Sequence, residues 1–183
     1  MRELTDTDLM LSVKAGELDK LTGLFDRYHP ALYQFFFYHI RQQQMAEDCT
    51  QNVFYRVLKY RHSYKPQTSV KAWLYKIARN VLKDELKQQH RHRYDQDITI
   101  PGDRQSAATA DGKLKEKEQL RLLEEALGQL APADRDILVL SRYQQLRYQE
   151  IAEILQLSES AVKVRVHRAF RQLQSFYSKK GVL

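Results

Sequence analysis

Apolar side chains recur along most of this chain at the three- and four-residue spacing that is typical of amphipathic helices. The stretch from Ser69 to Lys87 shows the pattern most plainly, because its apolar and cationic positions fall on opposite sides of a helix. A solvated surface helix has the same pattern, so the stretch alone predicts a helix but no role for it. The apolar set is Val70, Trp73, Leu74, Ile77, Ala78, Val81 and Leu82, and the cationic set is Lys76, Arg79, Lys83 and Lys87.

Further helical segments are predicted before that stretch, over residues 4–44 and 45–60. Pro30 is expected to kink or restart the helix that contains it, because proline lacks the backbone N–H that a helix interior uses. Most of the aromatic side chains near Phe35 are expected in a core. Cys49 lies within the apolar stripe of the 45–60 segment, which predicts a buried and unreactive thiol.

The helical rhythm stops over residues 93–115, which contain Pro101, small residues and scattered aspartates. Such a length without periodicity is unusual for a loop inside a compact domain. We interpret 93–115 as a flexible linker between an N-terminal domain, 1–92, and a C-terminal domain, 116–183. The predicted fold class is therefore all-α, with two small helical domains.

The C-terminal domain ends in two short predicted helices joined by a tight turn, which is the pattern of a helix-turn-helix. The first covers Tyr148–Leu155, and the second begins after Ser158, a favourable N-cap. One face of the second helix is apolar and is expected to pack: Val162, Val166, Ala169, Phe170, Leu173 and Tyr177. The opposite face carries residue types that can contact bases or phosphates, namely Ser160, Val164, His167, Arg168 and Arg171, flanked by Lys163 and Arg165.

Positive charge is concentrated in two places within a chain whose formal net charge is +7. Residues 59–93 contain ten basic and two acidic side chains, and residues 158–180 contain six and one. Two such concentrations predict two contacts with a polyanion, although a membrane surface would also attract them. No apolar run approaches the roughly 20 residues of a membrane span, so we expect no membrane insertion and a cytoplasmic protein.

Enzyme chemistry is not predicted. The sequence has no clustered acidic pair, no phosphate-binding glycine loop and no HxxxH-type metal motif, and its single cysteine excludes a cysteine-based zinc cluster. We therefore expect no catalytic residues, no metal and no cofactor.

Four segments, taken in order, resemble the extracytoplasmic-function (ECF) group of bacterial RNA polymerase sigma factors. They are LFDRYHPALYQF, AEDCTQNVFYRVLK, VKAWLYKIARNVLKDELK and the stretch from LAPADRDILVL to VKVRVHRAFRQL. The resemblance covers nearly the whole chain. It implies a protein that binds core RNA polymerase and directs promoter recognition and opening for transcription initiation.

The resemblance also implies partners and roles for individual residues. The expected partners are core RNA polymerase, through its β′ clamp helices and β subunit, promoter DNA and an anti-sigma factor. The implied polymerase-binding residues are Asp48, Gln51, Asn52, Phe54 and Arg56. The implied contacts with the −10 element are His62, Tyr64, Lys65, Lys71, Lys76, Arg79, Asn80 and Lys83, and those with the −35 element are Ser160, Lys163, Val164, Arg165, His167, Arg168 and Arg171.

Three departures from the family pattern bear on these roles. Arg147 stands where a serine or threonine often caps the first helix of the pair, so that cap has to come from elsewhere or be absent. Asn52 replaces a common glutamate on the polymerase-facing helix. Val164 and Phe170 replace a common serine and arginine, and we expect Phe170 to pack into the core.

A free-standing helix-turn-helix repressor or activator is the alternative function. Such a regulator binds duplex DNA tightly by itself, usually as a dimer on a palindromic site, whereas a sigma factor of this group is expected to need the polymerase.

Overall fold

The computed structural model describes residues 4–95 and 112–181, which belong to two compact helical units. No strand occurs within these ranges, which confirms the all-α prediction. Residues 4–95 of the first unit form four helices and two short 3₁₀ turns, Leu18–Lys20 and Arg61–Ser63. The helices are α1 (Asp6–Ala15), α2 (Leu21–Ile40), α3 (Gln43–Tyr60) and α4 (Val70–Asp95).

The core of the first unit lies where α2, α3 and α4 pack together, with α1 added against α2. Its fully buried side chains follow the predicted apolar stripes and include Leu24, Leu32, Phe36, Val53 and Leu74. Tyr75 is also fully buried, although it lies outside the apolar set predicted for that helix. Burial raises the pKa of the Tyr75 phenol, because the charged form would lose its hydration.

Pro30 does not restart its helix, because α2 runs from Leu21 to Ile40 with Pro30 inside it, and the kink stays a prediction. Proline removes one hydrogen bond to the carbonyl one turn earlier. Pro30 is exposed, so that carbonyl lies on the solvent side, where water can bond it. The apolar face of α2 is continuous on both sides of Pro30, and packing on α3 holds the helix together.

The second unit contains α5 (Gly112–Gln129), α6 (Pro132–Leu138), a π-helical turn (Val139–Tyr143), α7 (Tyr148–Leu155) and α8 (Glu159–Lys179). α5, α6 and α7 all pack on α8. The core residues on α8 are Val162, Val166, Ala169 and Leu173, as predicted. Two residues predicted on the same face are not buried, because Phe170 is 40% exposed and Tyr177 is half-buried.

The helix-turn-helix is formed by α7 and α8 at the predicted positions. Gln156 takes a left-handed backbone conformation, with φ of 55°, and reverses the chain between them. The Ser158 hydroxyl then accepts a hydrogen bond from the N–H of Ala161 at 3.2 Å, which caps α8 as expected. The two helices are thus held by a turn and a cap that are both local to residues 156–161.

The predicted linker, 93–115, is helical at both of its ends. α4 continues to Asp95, and α5 begins at Gly112. The remainder, 96–111, lies outside the described residues, so the two domain boundaries stay predictions. Among the described helices, none combines the length and the apolar character needed to cross a membrane.

Candidate functional site

One exposed face of α3 brings together most of the residues predicted to bind a polymerase. Asp48, Gln51 and Asn52 are exposed along it. Arg56 is half-buried, because its guanidinium donates to Asp84 of α4 at 2.7 Å and to the Asn52 side chain at 3.0 Å. The ion pair ties α3 to α4, so Arg56 stabilises this face as well as forming part of it.

Phe54 does not belong to that face. Its side chain is 5% exposed, and its ring packs against the ring of Phe25 with centroids 4.8 Å apart. The predicted direct contact between Phe54 and a partner does not fit this position. A buried aromatic ring supports the exposed face from beneath, through the packing of α3 on α2.

Three residues that the sequence reasoning missed lie beside the predicted ones. Tyr55, which is 65% exposed, joins Lys59 and Tyr60 along an open groove. A signal for them was available, because they follow Gln51 and Asn52 at the four-residue spacing that places side chains on one helical face. The groove is lined by Gln51, Asn52, Tyr55, Arg56, Lys59, Tyr60 and Asp84.

The loop between α3 and α4 carries two exposed residues of the predicted −10 set, His62 and Lys65. Tyr64 lies between them in sequence but is fully buried. Its hydroxyl donates to the carbonyl of Thr68 at 3.0 Å, and its ring packs edge-on against Trp73 at 5.4 Å. The direct DNA contact predicted for Tyr64 therefore does not fit, and its burial anchors the loop instead.

A second anchor for this loop comes from α1. The ammonium of Lys14 donates to the carbonyl of Tyr64 at 2.8 Å, across fifty residues of sequence. The loop is thereby held on both sides of its turn, by a buried ring below and a cation at its backbone. Lys14 was not predicted to have any role, and no local pattern in the sequence indicates one.

The cationic face predicted for α4 is exposed. Lys76, Asn80 and Lys83 lie on it, and Arg79 is half-buried among them. Lys71 is also half-buried and lies at the edge of this face, in the first turn of α4. Trp73 was expected on the packed face but is only partly buried, since its ring covers Tyr64 rather than entering the main core.

The exposed face of α8 carries the predicted −35 residues, of which Arg165 is half-buried and the others are exposed. Val164 is 68% exposed, which is unusual for a valine on a helix that packs on its other side. Lys163 pairs with Glu159 at 2.9 Å. Arg168 pairs with Asp134 of α6 at 2.6 Å while 57% of its side chain stays exposed.

Phe170 departs from its predicted place in the core. The guanidinium of Arg142 lies over its ring, 5.4 Å from the centroid. Such a cation–π contact is favourable at a partly exposed site, because the face of the ring is electron-rich. The phenylalanine therefore links α8 to the π-helical turn at the surface rather than filling the core.

The missing cap at Arg147 is replaced in part by Glu150. The backbone N–H of Arg147 donates to the Glu150 carboxylate at 2.9 Å, which is one half of a capping box. The negative charge of Glu150 also lies in the first turn of α7, where the helix dipole favours it.

Cys49 is 4% exposed, as predicted, and burial raises its pKa to about 12. Its thiol stays neutral at physiological pH, so it is a poor nucleophile. Within the described ranges, no group of three histidine, cysteine, aspartate or glutamate side chains could hold a metal ion.

Comparison with known proteins places both units in described families. Sigma-70 region 2 matches residues 24–92, and Sigma-70, region 4 matches residues 120–173. The ECF RNA polymerase sigma factor SigX of Bacillus subtilis (strain 168) is 34% identical over 157 residues, which cover 82% of this chain and 80% of SigX. The RNA polymerase sigma factor CarQ of Myxococcus xanthus is 33% identical over 162 residues, which cover 87% of this chain and 90% of CarQ.

A solved structure supports the same fold. The sigma factor RpoE in complex with the anti-sigma factor NepR, from Bartonella quintana, is similar with a TM-score of 0.73. The similarity covers 86% of this chain and 96% of that one, at 23% sequence identity.

Proposed function

The chain belongs to the ECF group of RNA polymerase sigma factors. We propose that separate exposed surfaces bind core RNA polymerase, the −10 element and the −35 element during initiation. As a sigma factor it binds core RNA polymerase and promoter DNA and acts in transcription initiation. The observation that carries the division of roles is the match of region 2 and region 4 to two helical units, each with an exposed basic face. The proposal concerns which residues perform which step.

The exposed face of α3 is the proposed polymerase-binding surface. Asp48, Gln51 and Asn52 supply charge and hydrogen-bonding groups, and Tyr55 supplies apolar area with a polar end, a combination enriched at protein interfaces. Because the Arg56–Asp84 pair holds α3 against α4, this surface is ordered before a partner arrives. The loop and the cationic face of α4 are proposed to meet the −10 element, and the exposed face of α8 the −35 duplex.

A pull-down with core RNA polymerase tests the α3 surface. Replacing Asp48 and Gln51 together by alanine should lower the affinity for core enzyme at least tenfold while both units stay folded, because both side chains are exposed. Asp26→Ala, an exposed aspartate of α2, is the control and should bind as the wild type does. Undiminished affinity in the double variant would move the polymerase contact away from this face.

In vitro transcription with core enzyme and a library of promoters tests the whole proposal. We expect selection of promoters by their −10 and −35 sequences. A protein that shifts promoter-like duplex in a gel without polymerase, but directs no transcription with it, would instead be the free-standing regulator considered as the alternative.

We propose that the protein acts in the cytoplasm and that an anti-sigma factor covers one or more of these surfaces, supported by the complex in which the structurally similar RpoE was solved. We further propose that the protein acts by binding energy alone, without making or breaking covalent bonds.

A further inference from the structure

Asp134 is a buried acid with no role in the surfaces described above. It lies in the first turn of α6, and the residue is 4% exposed. Aspartate is almost never fully buried unless it is paired, because a carboxylate loses its hydration on burial. Its Oδ1 accepts a hydrogen bond from Nη2 of Arg168 on α8 at 2.6 Å. The pair therefore connects the interior of the second unit to the exposed face of its recognition helix.

The neighbouring arginine of α6 is not the partner of this carboxylate. The Arg135 guanidinium points the other way and donates to the carbonyls of Leu127, at 2.8 Å, and Gly128, at 3.3 Å, near the end of α5. Arg168 supplies the positive charge instead. It reaches across from α8, thirty-four residues later in the chain.

Asp134 engages only part of the Arg168 guanidinium, and the other part can contact DNA. An arginine side chain carries five N–H donors in a planar fork, and Asp134 engages Nη2 alone in the contact described. With 57% of the side chain exposed, the rest of the guanidinium is on the surface with Val164, Arg165 and Arg171. A long side chain loses rotamer freedom when it contacts DNA, and a fixed anchor removes part of that cost in advance.

We propose that Asp134 is a positioning residue for promoter selection, which holds the Arg168 guanidinium in the orientation that reads the −35 duplex. The inference rests on the proposed function of α8 and adds to it a residue that does not touch DNA. The carboxylate also offsets the charge of Arg168, so the pair contributes orientation more than net attraction. Removing the carboxylate should thus lower discrimination without lowering the general affinity for DNA.

Transcription with the reconstituted holoenzyme on a library of −35 sequences tests the inference. Asp134→Asn should reduce discrimination between the preferred −35 sequence and its variants by about tenfold, and Arg168→Ala should do the same. The double variant should lose no more than Arg168→Ala alone, because Asp134 acts through Arg168. Binding to non-specific duplex should be unchanged or stronger for Asp134→Asn, since a negative charge is removed.

A purely structural role for Asp134 gives a different result. Asp134→Asn would then reduce transcription by the same factor whether or not Arg168 is present, and it would weaken specific and non-specific binding together. Either outcome would overturn the inference. Glu153→Gln makes the same change of charge at an exposed position of α7 and should leave the −35 profile as it is.

A second variant guards against loss of the fold in Asp134→Asn. Arg168→Lys keeps a cation for Asp134 but lacks the planar fork, so we expect a stable protein whose −35 discrimination is reduced as in Arg168→Ala. Undiminished discrimination in Arg168→Lys would contradict the inference. If the wild-type holoenzyme selects no promoter at all, the proposed function fails. If the wild type is selective but the effects of Asp134→Asn and Arg168→Ala add in the double variant, only the role of Asp134 is refuted.

Discussion

In the N-terminal unit, the residues proposed to face promoter DNA come from a loop and the helix that follows it, whereas in the C-terminal unit they come from α8 alone. The loop has short local hydrogen bonds, such as the one from the Thr68 N–H to the Lys65 carbonyl at 2.9 Å. Its shape also depends on Tyr64 and Lys14, which fix it from inside and from a distant helix. α8 needs no such anchors, because every residue of a helix is placed by the backbone. The ion pair between Asp134 and Arg168 joins one of its side chains to α6.

The two surfaces should therefore be disrupted by different kinds of substitution. A loop held by a few tertiary contacts fails when one of them is removed, whereas a helical face loses only the contact that is mutated. The N-terminal surface should therefore respond strongly to changes at buried residues that never meet DNA. The C-terminal surface should respond mainly at exposed residues, with little change in stability, and Asp134 is the buried exception proposed above.

Tyr64→Ala is the largest expected effect. Removing a fully buried aromatic side chain should lower the free energy of unfolding of the N-terminal unit by about 3–5 kcal/mol. Trp73, the single tryptophan of the chain, lies in this unit and reports its urea unfolding by fluorescence. Tyr60→Ala, at a position 47% exposed, is the control and should shift stability by less than about 0.5 kcal/mol. Equal effects of the two variants would show that Tyr64 is not an anchor.

The second largest effect is expected at alkaline pH, which should lower the stability of the N-terminal unit. The pKa of Cys49 is raised to about 12, so above pH 9 the unfolded chain releases this proton while the folded state keeps it. Stability is then fully present below about pH 9 and falls with rising pH, by up to about 1.4 kcal/mol per pH unit for this thiol. Urea unfolding followed at Trp73 from pH 8 to 11 measures the fall, and Cys49→Ala should make it shallower. The same slope in the variant would assign the effect to another group, such as Tyr75, whose pKa is also raised.

Lys14→Met should have a smaller effect on stability but a specific one on promoter opening. The variant loses a hydrogen bond from an ammonium to the Tyr64 carbonyl, which contributes about 1–2 kcal/mol at a half-buried site. Fluorescence of 2-aminopurine in the −10 non-template strand should rise more slowly with this holoenzyme, while its affinity for core enzyme is unchanged. Lys20→Met, on the neighbouring turn, is the control. Normal opening by Lys14→Met would leave the loop anchored by Tyr64 alone.

Val164→Ala should change stability least. The side chain is 68% exposed, so the free energy of unfolding should move by less than about 0.5 kcal/mol. If Val164 contacts a thymine methyl, preference for thymine at one −35 position should fall several-fold in the promoter library. An unchanged promoter profile would show that Val164 does not contribute to base preference. A large loss of stability would contradict the expectation that α8 tolerates substitutions on its exposed face.

Much of the fold was predictable because it depends on local chemistry. Ser158 caps α8, α7 covers the predicted Tyr148–Leu155, and the apolar stripe of α8 is buried at Val162, Val166, Ala169 and Leu173. Phe170 is not in the core as predicted, and the restart predicted as one alternative at Pro30 does not occur. A phenylalanine at the edge of a stripe can pack inward or cover a neighbouring guanidinium, and periodicity does not distinguish the two. The helix does not restart at Pro30 because packing on the neighbouring helix outweighs one missing hydrogen bond.

The candidate surfaces were predictable to the level of a helical face but not of each side chain. Asp48, Gln51, Val164 and Arg171 are exposed where the sequence pattern places them. Phe54 and Tyr64 were grouped with exposed neighbours, but both are buried. The family resemblance names positions along the chain, and it does not tell a residue that touches a partner from one that supports it.

The sequence by itself determined two helical units, two basic faces and a helix-turn-helix, because helical period, capping and charge are properties of residues a few positions apart. Tertiary structure alone decided which cations are paired and what holds the loop before α4. Lys14 meets Tyr64 across fifty residues, and Arg168 meets Asp134 across thirty-four. Contacts at such separation depend on how helices pack, and no local pattern records them.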